Sequence, residues 1–291
     1  MTEPAALAPV EVEKLVEVFK ELRPAYKVLL EFYGEVFSAQ EGSAGRIQIE
    51  PIHISENVLS AKLKGELPLI HMTEFVIDKE TSGRLFKTIC TIALSANETM
   101  AVSAQNILKA MDKGRIDSSR LFDHLLSEND AYFEEVADEF EIEQKVLVSL
   151  VYSSIKPSLA FCAHQLSSYL DPNHVWGKGY CPICGNQPGL ATLEIEGARF
   201  LFCSFCWHKW QVQRVFCPFC GNEDPKTLQY FYSEAEQDYR VDTCSQCKKY
   251  IKTVDTRKID RILYPPLEQV ATLHLDMKAE EMGFKSPVTS D

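Results

Sequence analysis

Apolar residues recur at helical spacing from Val10 to Leu170. Leu15, Phe19 and Leu22 stand three and four positions apart, which places them on one face of a helix. Similar runs follow, and prolines, glycines and capping residues mark their ends. The predicted helices cover residues 10–22, 24–37, 56–63, 86–111, 119–126, 131–143 and 142–170. Because apolar helix faces must be buried against one another, residues 1–170 are predicted to form an all-helical domain.

The last of these helices, over residues 142–170, is apolar on nearly all sides. No run in it reaches the eighteen or so consecutive apolar residues that a membrane span needs, so we expect a buried central helix, kinked at Pro157. The first residues show no basic stretch followed by an apolar one, and we therefore expect a cytoplasmic protein without membrane insertion. Cys90 and Cys162 fall on apolar helix positions and are predicted to fill the core.

Helical spacing stops at residues 171–180, and short alternating runs with Gly, Pro and Cys take over, which indicates a domain boundary. Two copies of one unit follow. Each copy begins C-P-x-C-G-N, continues through a strand, a polar turn and a second strand, and ends in C-x-x-C before a third strand. The predicted fold is therefore α+β, with two tandem rubredoxin-like or zinc-ribbon hairpin modules and a C-terminal helix. Its predicted parts are a helical domain over 1–170, a first ribbon over 171–215 and a second ribbon with the helix over 216–291.

The repeat decides how the eight cysteines of the C-x-x-C pairs are grouped, because a repeated unit contains its own site. Eighteen residues separate the two pairs of the first copy and twenty-three those of the second, a length that lets a hairpin bring both loops around one tetrahedral ion. Joining Cys206 to Cys217 in one site would leave the outer pairs without partners. The predicted ligands are Cys181, Cys184, Cys203 and Cys206 for one metal ion, and Cys217, Cys220, Cys244 and Cys247 for a second.

Four thiolates per site suit zinc and iron equally, so the sequence leaves the metal open between these two. Each ribbon has few large apolar residues, and the metal is expected to supply the missing folding free energy. Protein ligands fill all four positions, which disfavours a hydrolytic role, and no GxSxG, Walker or dinucleotide-binding motif is present. His208 is predicted to be a surface residue beside the first site. The stretch KKYIKTVDTRK is predicted to be a strand with one solvated face.

The formal charge of −12 lies mostly in the helical part. Residues 1–170 hold 16 Lys and Arg against 26 Asp and Glu, a balance of −10, and the remaining residues have a balance of −2. Such a field repels phosphate backbones, so we expect no nucleic-acid partner and favour a basic protein surface instead. Ten cysteines without an export signal indicate thiolate metal sites rather than disulfides.

The cysteine motifs and their neighbours resemble the FdhE formate dehydrogenase accessory proteins. The resemblance spans about residues 176–285 and is loose over the helices before them. The stretches that carry it are residues 176–185, 201–214, 217–221, 244–252 and 267–284, the last of which looks like the family's final helix.

The resemblance implies a cytoplasmic assembly chaperone that binds the catalytic subunit of formate dehydrogenase, supports its maturation and catalyses no reaction. It also implies that the eight cysteines are the family's ligands for two ions of iron or zinc. Asn186 and Asn222 stand where the family more often has serine or another small residue, a change that we expect not to affect ligation. The residues themselves also leave two alternatives: a thiol or electron-transfer protein with rubredoxin-type iron, and a ribbon-based nucleic-acid binder.

Overall fold

The computed structural model describes residues 9–234 and 236–286. The chain divides into two compact units. The first unit consists of the residues up to Pro51 and of Met72–Cys162, and the second of Ile52–His71 and the residues from Ala163 onwards. The first is helical and the second carries a sheet, which confirms the predicted α+β class. The grouping of residues 52–71 with the sheet has no counterpart in the sequence patterns, and the domain boundaries at 170 and 215 stay predictions.

Side-chain caps begin four of the described helices before residue 170. These helices are α1 (Pro9–Leu22), α2 (Lys27–Ala44), α3 (Glu56–Lys64), α4 (Lys79–Ala93), α5 (Glu98–Asp112), α6 (Ser118–Leu126), α7 (Asp130–Phe140) and α8 (Gln144–Ser167), of which α4 to α7 are the capped ones. Asn129 caps α7, since its side chain accepts a hydrogen bond from the Tyr132 N–H. The predicted helix over 86–111 is two helices, because Asn97 caps a new one at α5.

The core of the first unit is built from the apolar faces of these helices. Cys90 and Cys162 are fully buried, which confirms their prediction as core residues. Burial raises the pKa of Cys90 to about 12 and that of Cys162 to about 11, so both thiols stay protonated at neutral pH. Within the described residues, α8 is long and apolar enough to cross a membrane, but 56% of its most apolar stretch is buried inside the protein, as in the core helix of a soluble fold.

A six-stranded sheet forms the centre of the second unit. Its strands are β1 (Pro188–Leu193), β2 (Arg199–Cys203), β3 (Lys209–Val212), β4 (Leu228–Ser233), β5 (Glu236–Cys244) and β6 (Tyr250–Asp255), in the order β3-β2-β1-β6-β5-β4. Each ribbon supplies three strands with antiparallel pairing, as the sequence predicts. The two ribbons then join through the parallel pair β1 and β6, where Ala191 lies opposite Thr253. Both repeats therefore share one sheet.

Two short helices follow the sheet, α9 (Pro265–Ala271) and α10 (Leu273–Glu281). The prediction of one helix over 267–284 is wrong, because Thr272 has a non-helical φ of −121° and separates the two. Leu275 and Ala279 pack with Tyr250 and Val254 in the core on one face of the sheet. The final helices thus cover this face.

β6 overturns part of the prediction made for KKYIKTVDTRK. It is a strand, as expected, but it lies in the middle of the sheet and all six of its residues are buried. The ammonium of Lys252 donates to Asp276 at 2.6 Å and to the carbonyl of Gln269 at 2.9 Å. Burial lowers the pKa of Lys252, and its carboxylate partner opposes this. The expected solvated face is wrong because α9 and α10 supply polar partners inside the protein.

Candidate metal centres

The first cluster lies between the loop before β1 and the turn that joins β2 to β3. Its sulfur atoms lie within 4.8 Å of one another. The shortest separations are 3.5 Å for Cys184 and Cys203, 3.6 Å for Cys184 and Cys206, and 3.7 Å for Cys181 and Cys206. A tetrahedral ion with metal–sulfur bonds of about 2.3 Å separates its sulfurs by about 3.8 Å, whereas a disulfide needs about 2.05 Å. The donor set fits a metal ion.

The second cluster repeats this arrangement before β4 and in the turn that joins β5 to β6. Its sulfurs also lie within 4.8 Å of one another, with 3.7 Å between Cys217 and Cys247 and 3.7 Å between Cys220 and Cys244. The structure therefore groups the eight cysteines by repeat, as the sequence motifs indicate. His208 belongs to neither cluster; its ring is parallel to that of Trp210, with centroids 6.5 Å apart.

The two C-P-x-C-G-N loops have matching backbones. In the first, the N–H of Cys181 donates to the carbonyl of Asn186 at 2.9 Å, and in the second the N–H of Cys217 donates to that of Asn222 at 2.8 Å. Gly185 lies at a φ of +78° and the corresponding Gly221 at +72°. Only glycine adopts this conformation without a Cβ penalty, so the loop sequence follows from the turn that holds the thiols.

Asn186 and Asn222 have a role that the sequence analysis did not assign to them. The side-chain amide of Asn186 donates to the Cys184 sulfur at 3.6 Å, and that of Asn222 to the Cys244 sulfur at 3.6 Å. Such donors partly neutralise the negative charge of a metal-bound thiolate. The signal was present in the sequence, since the same residue occurs at the same offset in both repeats.

The first cluster cannot hold four thiolates without a cation. Burial raises the pKa of Cys181 and of Cys206 well above the ordinary thiol value. Hydrogen bonds from Cys181, Cys203 and Cys206 lower the pKa of Cys184 far below it. Burial therefore opposes the ionisation of Cys181 and Cys206, and making both of them thiolates requires a compensating positive charge, which a divalent ion would supply.

Burial also opposes ionisation of thiols in the second cluster, although the cysteines there are less buried than those of the first. Burial raises the pKa of Cys217 well above its usual range. Burial also opposes ionisation of Cys244, but N–H groups of Cys247 and Gln246 and the amide of Asn222 together bring its pKa down to about 7. Backbone donors around Cys244 therefore prepare this sulfur for ligation at neutral pH.

Residues 66–70, which we call the strap, cover the first C-P-x-C-G-N loop. The N–H groups of Leu69 and Ile70 donate to the carbonyls of Pro182 and Ile183, both at 2.9 Å. The hydroxyl of Tyr180 donates to the carbonyl of Glu66 at 2.7 Å. The strap thus adds a backbone layer over the loop that carries Cys181 and Cys184.

Both clusters lie in segments that match known family models. The model described as the FdhE central domain matches residues 180–214, which hold the first cluster. The model described as the FdhE C-terminal domain matches residues 215–289, which hold the second. Residues 180–289 match these two FdhE domain models. Each FdhE domain therefore carries one cluster of four cysteines, and together the two domains form the shared sheet.

Curated relatives carry the same family name. The protein FdhE homolog of Aquifex aeolicus is 38% identical over 162 residues, which are 49% of this chain and 56% of that protein. The FdhE homolog of Haemophilus influenzae is 26% identical over 152 residues, 51% of this chain and 50% of that protein. These matches span about half the length of the relatives. The FdhE homolog of Proteus mirabilis is 25% identical over 259 residues, 88% of this chain and 78% of that protein.

A solved structure extends the likeness to the helical part. The crystal structure of the FdhE protein from Pseudomonas aeruginosa matches with a TM-score of 0.70 and covers 98% of this chain and 95% of its own. The sequence identity is 18%, so this match shows a common fold. The FdhE fold therefore includes the helices for which the sequence motifs carried no specific signal.

Arg199 links the first FdhE ribbon to the second cluster. It begins β2, is only 3% exposed, and donates to the carbonyl of Phe216 at 2.6 Å, one residue before Cys217. Its guanidinium also meets Asp242 at 3.3 Å, and Asp242 pairs with Arg240 as well. Two guanidinium groups thus share one carboxylate, which leaves one positive charge in excess. This charge lies beside the second cluster, where four thiolates and a divalent ion would together carry −2.

We predict that Arg199→Met weakens metal binding at the second cluster by about 10–100-fold and leaves the first unchanged, because the buried charge is lost from one site only. Chelator titration of the loaded protein, with bound metal counted at each step, measures both affinities. Arg199→Lys is the matched control that keeps the charge and should retain most of the affinity. Equal weakening at both clusters would contradict the electrostatic role and indicate a general loss of stability.

Proposed function

We propose that this protein is a formate dehydrogenase accessory protein: an assembly chaperone that binds the catalytic subunit of the enzyme in the cytoplasm and supports its maturation without catalysing a reaction. The observation that carries the proposal is the match of residues 180–289 to the two FdhE domain models. Two clusters of four cysteines, one in each FdhE domain, support it further, because sites filled by protein ligands suit a stable binding surface rather than turnover.

We further propose that each cluster binds one ion of iron or zinc, with Cys181, Cys184, Cys203 and Cys206 as the first ligand set and Cys217, Cys220, Cys244 and Cys247 as the second. The sulfur separations of 3.5–3.7 Å support this assignment. Such an ion would cross-link the loops at the end of each hairpin. The ribbons would then depend on metal for their folding.

The acidic surface of α7 is a candidate contact for a basic segment of the catalytic subunit. Glu134, Glu135 and Asp138 are exposed there, within a part of the chain that carries a balance of −10. Attraction between opposite charges accelerates the encounter of two proteins. This attraction weakens as ionic strength rises, because salt screens exposed charges beyond about 8 Å under physiological conditions. Binding of the subunit should therefore fall as salt rises.

The test is recovery of the catalytic subunit from an extract that contains formate dehydrogenase, using the tagged protein at low and at high salt. A variant with Glu134→Gln, Glu135→Gln and Asp138→Asn should recover less of it at low salt. The matched control changes three exposed glutamates outside α7, Glu13, Glu21 and Glu50, to Gln, and should bind normally.

Two outcomes separate the parts of this proposal. Failure to recover the subunit at any salt concentration would reject the accessory role. Recovery that depends neither on the salt concentration nor on the α7 substitutions would support the accessory role and reject the electrostatic contact. The solvent exposure of Cys220 favours one alternative, electron transfer through a rubredoxin-type iron centre, and reversible one-electron changes in absorbance of the iron-loaded protein would establish it.

A further inference from the structure

The two clusters differ in their access to solvent although their sequences repeat. In the first cluster all four cysteines are buried, and Cys184 is the most accessible at 5% exposure. In the second cluster, Cys217 and Cys244 are buried, but Cys220 is exposed and Cys247 is partly exposed. Cys220 and Cys184 occupy the same position of the repeated loop, so the comparison is between equivalent ligands.

The glycines that follow these two cysteines show why the exposure differs. A Cβ added at Gly185 would meet the ring of Pro68 at 3.0 Å, because the strap lies against this side of the loop. A Cβ added at Gly221 would meet no atom within 4 Å among residues 9–234 and 236–286. The first loop is therefore covered by residues 66–70, whereas the same side of the second loop is open.

Access to sulfur controls how a metal ion leaves a site of four thiolates. An incoming donor atom forms a bond to the ion as one thiolate dissociates, and the released thiolate takes a proton from water. This exchange needs a ligand that solvent and the incoming donor can reach, and a covered site prevents it. Cys220 meets the requirement, and Cys184 does not.

We propose that the second cluster is an exchangeable metal site, at which thiol-rich metal acceptors, chelators and thiol-directed electrophiles react through Cys220, while the first cluster keeps its ion. This inference rests on the proposed binding of one ion by each cluster. It assigns different tasks to the two repeats: the first is a permanent structural centre, and the second responds to metal supply and to thiol chemistry.

The experiment follows metal release from the full chain loaded with zinc, after its metal content has been measured. A chromogenic chelator in excess should remove one equivalent at least about tenfold faster than the other. Iodoacetamide added during the fast phase, followed by peptide mass spectrometry, should modify Cys220 and Cys247 before the cysteines of the first cluster. Release of both equivalents at one rate, or equal modification of Cys184 and Cys220, would overturn the proposal.

Matched variants assign the two phases. Cys220→Ser should abolish the fast phase, and Cys184→Ser, the same change in the first repeat, should abolish the slow one. Tyr180→Phe removes the hydrogen bond to the strap without touching a ligand, and should accelerate only the slow phase. A fast phase that survives Cys220→Ser would overturn the assignment. A starting content below two equivalents would reject the two-ion proposal itself, and with it this inference, before any rate is measured.

Discussion

Cys203→Ser should remove one of two bound metal ions and leave the other in place, and Cys244→Ser should do the same at the opposite site. Each serine deletes one thiolate from a cluster whose sulfurs lie within 4.8 Å of one another, while the other cluster keeps all four. Serine is a poor ligand for a soft or borderline metal ion, so the loss of metal from the changed site should be nearly complete. Native mass spectrometry of each single variant counts the ions per chain.

Cys90→Ser is the control for the cysteine variants, because Cys90 is equally buried in the helical core but belongs to neither cluster. It should retain two ions. The grouping by repeat would be refuted if Cys203→Ser and Cys217→Ser emptied the same site while Cys181→Ser emptied the other. That result would mean that the inner C-x-x-C pairs share an ion.

Removal of both ions should abolish the cooperative unfolding of the ribbons while the helical unit keeps its own transition. A structural zinc site contributes on the order of 10–16 kcal/mol to the folding of small metal-dependent domains at neutral pH, and a whole domain is stable by only about 5–15 kcal/mol. Calorimetry should show two transitions for the loaded protein and one after chelation. Circular dichroism should retain most of the helical signal.

A fragment of residues 1–170 provides the control for chelation. It contains neither cluster, and its apolar helices can bury one another without metal, so chelator should not change its unfolding temperature. A fragment without any cooperative transition would contradict the prediction that residues 1–170 fold independently. Persistence of both transitions in the metal-free full chain would contradict the metal dependence of the ribbons.

The sequence predicted the cysteine clusters well because their determinants are local and repeated. The offsets between Cys181 and Cys184, and between Cys217 and Cys220, fix two loops of the same shape, and the hairpin between the pairs brings the remaining sulfurs to them. Helix caps are local in the same way, as Asn129 shows. Features that are determined by a few neighbouring residues could therefore be predicted from the sequence.

What the sequence did not predict depends on contacts between distant segments. The parallel pairing of Ala191 with Thr253 uses backbone groups, which leave no mark on residue identity. Lys252 was expected on a solvated face because lysine is seldom buried, and the partners Asp276 and the Gln269 carbonyl on the final helices reverse this. The strap likewise binds through main-chain N–H groups at Leu69 and Ile70.

The strap also sets an order of events during synthesis. Glu66 leaves the ribosome 114 residues before Tyr180, whose hydroxyl donates to the Glu66 carbonyl, and at typical rates of protein synthesis this separation corresponds to roughly 6–23 seconds. The helices that lie between them have mostly local contacts and can fold in that interval, whereas the strap must wait. During synthesis the nascent chain therefore passes through a stage in which the helices have folded but the ribbon unit has not.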